Sequence, residues 1–573
     1  MKTRFALLAA ILLLGTAAKA QFVVENTNGS TTTTTNNNLT FSRYGTSWRI
    51  GTVPIDNVKS ITLQPLAERL QGYSGPTYAD DYRNITSWSN RTKWNLANVH
   101  DPTVMKAADG YYYMYQTDAS YGNVQNGHGH FHGRRSRNLV DWEYLGAAMN
   151  TVPAWVKDTV NAYRTAMGLE PISNFQLGYW APCARMVHDS LYRMYYCIVV
   201  DNLIKSGAVN NEANFDGSWS ERALIGVMET DDPASNKWID KGFVIGSSTD
   251  KGRDGWSRSS YTTDWNAYFK FNAIDPTVII NPEGEHWMIY GSWHSGFAAV
   301  QLDPETGKTL QPLGYPWGDI SAYGSTVATR GGRWQGSEGP EIVYHDGYYY
   351  LFMAYDGLDI PYNTRVVRSK NISGPYTGRD GVNVTTGGQA YPVVTHPYKF
   401  AGDNGWVGIS HCAVFDDGQG NYFYCSQQRF PEDAPGWASN AVMMGGVRAI
   451  KWVDGWPVVM PERYGAVPQA PISEDELTGT WELIALSYNY GKQDAAVSMQ
   501  LKEDHAVSGS PLTARKWSFS GNILTIGTVH MAVARETDWE QTGRPATIVF
   551  AGTTSNGLQT YWAKRVGPLP ATE

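Results

Sequence analysis

Three acidic residues of this chain recur at matched points of a repeated sequence pattern. Asp101 and Asp275 each stand directly before a proline, and Glu338 stands two positions before Pro340. Hydrolysis of a glycosidic bond needs one protonated carboxyl to protonate the leaving oxygen and one ionised carboxyl to activate water or attack carbon. A third carboxylate close by raises the pKa of the acid through like-charge repulsion. Three acids in register therefore indicate glycoside hydrolysis, whereas one isolated Asp-Pro pair would indicate only a turn.

The pattern around these acids occurs five times and would bring distant residues together. Each copy has a polar residue, a strand-like run, a tight turn and an aromatic-rich strand. Repeats of short strands and turns are typical of a β-propeller, in which each repeat forms one blade. The sequence therefore predicts an all-β protein whose main unit is a five-bladed propeller. The copies cover residues 100–118, 180–202, 274–293, 338–357 and 410–429.

If every copy opens the innermost strand of its blade, ten residues surround one mouth of the central channel. They are the two residues before each of the aligned positions Pro102, Pro182, Pro276, Pro340 and Cys412. We call them the mouth residues: His100, Asp101, Trp180, Ala181, Ile274, Asp275, Glu338, Gly339, Ser410 and His411.

Glu341 is a second candidate for the catalytic acid because it follows Glu338 by three residues. An odd separation places the two side chains on opposite faces of an extended strand. Only Glu338 matches a mouth position, since Glu341 lies inside the predicted strand. We therefore predict Glu338 as the acid.

Two tryptophans and one histidine are the predicted binding residues. Trp180 is a mouth residue, and Trp293 closes the strand pair of the third copy, so each is predicted to stack on a sugar ring; packing in the core is the alternative. His411 is predicted either to hold a metal ion or to act as a hydrogen-bonding group. Because hard cations prefer oxygen ligands, a single histidine would hold a largely water-ligated ion.

A cluster of three alternating histidines, His128, His130 and His132, precedes Arg134. Their spacing places all three on one face if the segment is extended, which is compatible with a transition-metal site. The segment is rich in glycine, and we predict a solvated loop instead.

Four cysteines fall in two pairs across tight turns, Cys183 with Cys197 and Cys412 with Cys425. Export permits disulfides, but directly opposed strand cysteines form strained bridges. Cross-strand disulfides and buried thiols both remain open at this point. The four residues do not have the spacing of a zinc site.

The first 20 residues have the features of a secretory signal peptide. Lys2 and Arg4 supply a positive start, residues 5–14 are apolar, and Ala18-Lys19-Ala20 is a small-residue cleavage site. The apolar run is too short to span a bilayer, and no cysteine lies near the cleavage point for lipid attachment. We expect a secreted or periplasmic protein without a transmembrane segment.

The charge balance excludes one class of partner. The formal net charge is −8, and loss of the signal peptide, which carries no acid, makes the chain more negative. This argues against nucleic-acid binding, which favours a basic face. It is normal for a soluble secreted protein that acts on a neutral ligand. We expect the protein to be a monomer.

Three regions follow the predicted signal peptide. Residues 21–86 are predicted to be a flexible leader, rich in Thr and Asn, followed by a small β segment. Residues 87–468 contain the predicted propeller. Residues 472–570 alternate with period two and turn at glycine pairs, which predicts a small antiparallel β-barrel.

Taken together, these motifs resemble glycoside hydrolase family 43, particularly its arabinanase branch. The resemblance rests on HDP at 100–102, YWAP at 179–182, IDP at 274–276, SEGP at 337–340, RVVRSKNISGPY at 365–376 and GISH at 408–411. The C-terminal region, from LTGTW at 477–481, looks like the accessory barrel of some bacterial arabinanases. One departure is Ser410-His411-Cys412, where the arabinanase pattern more often has glycine before the histidine.

The resemblance implies an inverting hydrolase with separate roles for the three acids. Asp101 would be the general base, Glu338 the general acid, and Asp275 the residue that orients and tunes the acid. His411 would hold a calcium ion in the channel through waters, and no organic cofactor is implied.

The implied activity is cleavage of α-1,5-linked arabinofuranosyl bonds in plant cell-wall arabinan or arabino-oligosaccharides, inside the chain. The alternatives are an exo-acting α-L-arabinofuranosidase or β-xylosidase on the same scaffold, and a non-catalytic polysaccharide-binding propeller.

Overall fold

The computed structural model describes most of the chain. The predicted signal peptide lies outside the described residues except for Ala20. The described ranges are 20–27, 31–33, 41–44, 47–50, 53–65, 72–78, 80, 85–118, 125–200, 205–208, 211–217, 223–248, 270–331, 336–358, 361–435, 443–487, 492–513 and 515–567.

Five four-stranded antiparallel sheets follow one another along the chain, which confirms the predicted propeller. In each sheet the strands pair in sequence order, so each blade is one local meander. Blade 1 has strands Thr103–Lys106, Tyr112–Tyr115, His130–Ser136 and Glu143–Met149. Blade 2 has strands Leu177–His188, Leu191–Val200, Ala223–Thr230 and Ile239–Gly246. Blade 3 has strands Thr277–Ile280, His286–Tyr290, Phe297–Leu302 and Ser325–Ala328. Blade 4 has strands Ser337–His345, Tyr348–Tyr355, Asn363–Ser369 and Val393–Thr395. Blade 5 has strands Val407–Asp416, Tyr422–Arg429, Met444–Val453 and Trp456–Val459.

The ring is closed at its centre. The first strand of every blade contacts the first strand of the next, and that of blade 5 contacts that of blade 1. Closure is reinforced outside the centre, where Gly445 in the third strand of blade 5 donates its N–H to the Leu96 carbonyl at 2.8 Å. Residues at the starts of these five strands therefore face a common channel.

A buried ion pair ties the blades together below the mouth. Both oxygens of Glu341 in blade 4 accept from Arg185 Nη2 in blade 2, at 2.8 and 2.9 Å. The same carboxylate accepts from Thr277 Oγ1 of blade 3 at 2.7 Å and from the Val414 N–H of blade 5 at 3.1 Å. Arg185 also reaches Thr103 Oγ1 of blade 1 at 3.4 Å. We call this network the hub, because each of the five inner strands contributes to it.

The C-terminal region is an eight-stranded antiparallel sheet, as predicted. The Val507 N–H donates to the Arg515 carbonyl at 3.1 Å and so brings the two edge strands together, which nearly closes the sheet into a barrel. Bulky apolar side chains, including Trp481, Phe550 and Trp517, fill its interior. Its strands are Gly479–Leu486, Val497–Leu501, Val507–Ser508, Trp517–Ser520, Ile523–Ile526, Val529–Thr537, Ala546–Thr553 and Thr560–Arg565.

The barrel and the propeller share one hydrophobic core. Trp406 and Trp456 of blade 5 belong to the same buried cluster as Ile484 and Trp562 of the barrel. A short parallel pairing of Tyr398–Lys399 with Asp494–Ala495 joins the backbones of the two units. The barrel therefore stabilises the outer side of the propeller.

The N-terminal region is more ordered than the sequence predicts. Residues 21–26, which the composition assigns to a flexible leader, belong to strand Ala20–Asn26, and this strand pairs with Val58–Pro65. The error arose because the Thr/Asn-rich composition was extended over the apolar residues that precede it. The remaining strands here are Thr31–Thr33, Phe41–Tyr44, Ser47–Ile50 and Val53–Pro54.

Residues 72–78 and Asp80 contact the propeller and the barrel. Asp80 pairs with Arg463 at 2.7 and 2.9 Å, and the Tyr78 ring packs on Trp539 of the barrel. The segment thus lies at the junction of propeller and barrel.

Helices are few in the described part of the chain. One α-helix, Ala154–Ala166, lies between blades 1 and 2 and buries Val156 and Val160. Short 3-10 helices cover Ile55–Asn57, Trp88–Lys93, Pro233–Ser235, Ser321–Tyr323 and Asp475–Leu477. Within the described ranges, every helix falls short of what a membrane crossing requires.

All four cysteines are buried free thiols. Cys183 lies opposite Tyr195, and Cys412 lies opposite Ser426, so neither predicted pair is directly opposed. Of the two alternatives that the spacing left open, buried thiols are the one found.

Candidate active site

The same unusual backbone conformation occurs at one mouth position in every blade. The residue before each aligned position has a positive φ, which non-glycine residues rarely adopt. In blades 2, 4 and 5 the pairing between the first and second strands shifts register near this residue. Such a bulge re-aims the side chain away from the sheet. The five residues are Asp101 at 44°, Ala181 at 34°, Asp275 at 55°, Gly339 at 54° and His411 at 52°.

Asp101 is largely buried, with its side chain 12% exposed, and is surrounded by donors. His411 Nδ1 lies 3.0 Å from its Oδ1, and His100 Nδ1 lies 3.0 Å from its Oδ2. Thr117 Oγ1 donates to Oδ2 at 2.8 Å. Burial by itself raises the pKa of Asp101, but the two histidines outweigh it and hold this pKa well below its usual range. Asp101 is therefore ionised at neutral pH.

The pKa of Asp275 is shifted in the opposite direction, upward. Burial, with the charges of Glu338 and Asp101, raises the pKa of Asp275 to about 7, although His411 acts in the other direction. Its Oδ2 accepts the Gly339 N–H at 3.0 Å. Asp275 thus holds the backbone next to Glu338 and can keep a proton in mildly acidic solution.

Glu338 is held through both oxygens. Trp293 Nε1 donates to Oε2 at 2.6 Å, and the Tyr362 hydroxyl donates to Oε1 at 2.5 Å. Ser292 Oγ is a more distant donor to Oε2 at 3.4 Å. Glu341, by contrast, belongs to the hub, so the prediction that the two glutamates face different surroundings is confirmed.

A chain of contacts joins the three acids across the channel. His411 pairs with Asp101, and its ring packs so closely on Gly339 that a Cβ there would lie 2.8 Å from the ring. Gly339 in turn donates to Asp275. Asp101 and Asp275, with their neighbours, raise the pKa of His411 to about 10 despite its burial. The acids predicted from separate copies of the repeat are therefore brought into one site.

The two predicted tryptophans occupy different settings. Trp180 is 37% exposed, which is unusual for so large an apolar side chain in the propeller. Trp293 has a φ of 59° and directs its indole N–H at Glu338. Stacking on sugar stays a prediction for both residues. The hydrogen bond from Trp293 to Glu338 could not be predicted from the sequence.

Replacing Trp293 by Phe is expected to lower kcat about 10- to 100-fold with little change in KM. The reason is loss of one hydrogen bond to a carboxylate, for which about 1.5–3 kcal/mol is typical. Steady-state kinetics on linear polysaccharide measure this split. A raised KM with unchanged kcat would instead identify Trp293 as a stacking residue only.

The residues around His411 supply little for a metal ion by themselves. Its Nδ1 contacts Asp101, and because the pKa of the ring is about 10, Nε2 also carries a proton at neutral pH, so an ion would meet this ring through water. A group of three acids does occur elsewhere, at Glu462, Asp538 and Glu540. The Lys564 ammonium lies among them, 3.0 Å from both Glu462 and Asp538, and occupies the place that an ion would take. Hence the channel can fit only an ion held largely by water.

Several residues of the site were not identified from the sequence. They are Thr117, Tyr362 and Gln427, whose Oε1 accepts the Asp101 N–H at 2.8 Å. Gln427 lies in the second strand of blade 5, Thr117 follows the second strand of blade 1, and Tyr362 directly precedes the third strand of blade 4. No motif marks them. The one available signal is position, because the second strand ends and the third begins at the same face where the first begins.

The prediction of a solvated histidine loop is wrong for His130 and His132. Both lie in the third strand of blade 1. His132 is fully buried, with Nδ1 at 2.6 Å from the Tyr144 hydroxyl. His128 precedes the strand and stacks on Trp88. The prediction took the glycines as a sign of a loop, whereas here they allow turns and close packing at the start of the strand.

Known proteins with similar sequences and structures share this architecture. An "Extracellular endo-alpha-(1->5)-L-arabinanase" of Thermotoga petrophila is 26% identical over 82% of this chain and 94% of its own length. An "Extracellular exo-alpha-(1->5)-L-arabinofuranosidase ArbA" of Cellvibrio japonicus is 27% identical over 56% of this chain and 75% of its own length. The crystal structure of an endo-1,5-alpha-L-arabinanase from Thermotoga petrophila superposes with a TM-score of 0.60, at 24% identity, over 82% of this chain and 99% of that one.

Two family descriptions account for nearly all of the propeller and barrel. "C-terminal lipocalin-like domain" matches residues 461–563, and "Glycosyl hydrolases family 43" matches residues 96–457, more than half of the chain. The protein therefore belongs to glycosyl hydrolases family 43.

Proposed function

We propose that the protein is an endo-acting hydrolase of α-1,5-linked L-arabinofuranosyl bonds in arabinan. The observation that carries this proposal is the meeting of Asp101, Asp275 and Glu338 in the mouth of a family 43 propeller. Asp101 is held ionised, the state that a general base requires. Glu338 is held in one orientation by donors to both of its oxygens, and it must carry a proton to act as the general acid.

Asp101 is the general base in this proposal. Its carboxylate, kept charged by two neighbouring imidazoles, takes a proton from a water that attacks the anomeric carbon. Glu338 is the general acid and gives its proton to the leaving oxygen. A water between base and sugar produces inversion at the anomeric carbon.

Asp275 positions the acid. It accepts the N–H of Gly339, the residue next to Glu338, so it constrains the backbone from which the acid projects.

A calcium ion is the proposed metal, held beside His411 through waters. Bound there, the ion would supply positive charge beside the acids. Asp101 fixes the ring through Nδ1, an arrangement that commonly orients metal-binding histidines.

The endo mode is favoured by the relatives. The relative named as an endo-arabinanase matches across propeller and barrel, whereas the one named as an exo-arabinofuranosidase matches over a smaller share of this chain. Both are named extracellular, which supports the proposed export through the signal peptide at residues 1–20.

Catalysis is assigned to the propeller, residues 87–468. The barrel, residues 472–570, is assigned a bracing role, because apolar side chains fill its interior and its outer face shares a core with blade 5.

The test is a time course of products from linear arabinan, debranched arabinan and xylan. We expect a spread of arabino-oligosaccharides from the arabinans, no products from xylan, and the β-anomer first in proton NMR spectra. Release of arabinose alone would indicate exo action. A first-formed α-anomer would contradict the roles of Asp101 and Glu338.

A further inference from the structure

A buried carboxylate holds an imidazole beside the channel mouth. Asp118 Oδ2 lies 2.5 Å from His130 Nδ1, and Asp118 Oδ1 accepts the Phe131 N–H at 2.9 Å. The His130 ring lies parallel to the Tyr179 ring, with 3.3 Å between centroids and 12° between planes. The orientation of the imidazole is therefore set by a hydrogen bond and by stacking.

This pair belongs to the same wall of the mouth as the proposed base. Thr117, directly before Asp118, donates to Asp101 and accepts the Ala181 N–H at 2.7 Å. The Asp118 N–H donates to the Tyr179 carbonyl at 3.2 Å. His130 thus lies against Tyr179, the residue next to the exposed Trp180.

The second ring nitrogen of His130 is available to a ligand. The side chain is 24% exposed, and among the residues that the structure describes none is hydrogen-bonded to Nε2. With Nδ1–H given to Asp118, a neutral ring offers Nε2 as an acceptor and a protonated ring offers it as a donor. A sugar hydroxyl, which both donates and accepts, complements either form.

His132, two residues along the same strand, shows what a purely structural histidine looks like. It is fully buried, and its two nitrogens lie 2.6 Å from the Tyr144 hydroxyl and 3.1 Å from the Gly129 carbonyl. Burial lowers the pKa of His132 to about 4. Both of its nitrogens are used inside the protein, whereas His130 leaves one exposed.

We infer that Asp118, His130 and Tyr179 form a sugar-binding subsite between blades 1 and 2. Asp118 and the Tyr179 ring fix the polar edge of His130 there, and a few placed polar groups of this kind orient a small ligand. The ligand is an arabinofuranosyl unit of the bound chain away from the bond that is cleaved. This inference rests on the proposed function.

Calorimetric titration of linear arabino-oligosaccharides of increasing length into an inactive Glu338→Gln background tests the subsite. His130→Phe keeps a ring on Tyr179 but removes both nitrogens. We expect it to weaken binding about 2- to 10-fold, the cost of one neutral hydrogen bond, for oligosaccharides long enough to reach the subsite. His130→Gln, which restores a polar end, is expected to bind within about twofold of the parent.

His345→Phe is the matched control. His345 stacks on Trp452 in the same parallel manner, with 3.7 Å between centroids, at the end of the first strand of blade 4 that lies away from the mouth. Its replacement is expected to leave oligosaccharide binding unchanged. Should His130→Phe fail to fold, His130→Met takes its place.

Two outcomes separate the subsite from the proposed function. If the wild type releases no product from arabinan and the inactive background binds no arabino-oligosaccharide, the proposed function fails with the subsite. If the wild type is active but His130→Phe and His345→Phe bind all oligosaccharides equally, only the subsite is overturned.

Discussion

Replacing Glu338 by Gln is expected to lower kcat on linear arabinan about 100- to 10,000-fold, the usual contribution of general acid–base catalysis. The amide has nearly the same shape and can still accept from Trp293, but it cannot give a proton to the leaving oxygen. The melting temperature is expected to stay close to that of the wild type. Steady-state kinetics and thermal unfolding measure the two effects.

The choice of substrate separates an acid from a merely structural residue. An aryl arabinofuranoside with a strongly acidic phenol as leaving group needs little protonation in the transition state. Glu338→Gln should therefore lose far less activity on it than on arabinan. Asp101→Asn should lose activity on both substrates, because attack by water still needs a base. An equal loss for Glu338→Gln on both would contradict the acid role.

Replacing Glu341 by Gln is expected to lower the free energy of unfolding by about 3–5 kcal/mol, the typical cost of removing one partner of a buried ion pair. The change leaves the Arg185 guanidinium without its counter-charge inside the hub. It also perturbs the acceptor of Thr277 Oγ1 and of the Val414 N–H. Chemical denaturation followed by tryptophan fluorescence measures the loss.

Glu143→Gln is the matched control for this prediction. Glu143 pairs with Arg135 at the same 2.8 Å, but its side chain is 62% exposed. Exposed ion pairs typically contribute about 0–1 kcal/mol, so this variant should unfold like the wild type. Equal stabilities for Glu341→Gln and Glu143→Gln would show that the hub does not hold the blades together.

Glu338 and Glu341 are only three residues apart, yet one is assigned to catalysis and the other to stability. The left-handed Gly339 and the register shift between the two glutamates direct one to the mouth and the other to the hub. Variants at the first should fail in catalysis and variants at the second in stability.

The sequence by itself determined the repeat, the blade count, the barrel and the mouth residues Asp101, Asp275, Glu338 and His411. The strands and turns were predictable because alternation and turn residues are local properties of the sequence. The mouth residues were predictable because residues at matching positions of the repeats lie close together once the blades close into a ring. Only the tertiary structure decided that Trp293 and Tyr362 hold Glu338, that Arg185 and Glu341 form the hub, and that His130 pairs with Asp118. Those contacts join strands from different blades or turns, and no local pattern encodes which polar side chains meet once the sheets pack. The same reason explains the misjudged leader: strand Ala20–Asn26 is stabilised by a partner strand some forty residues away, which its own composition does not reveal.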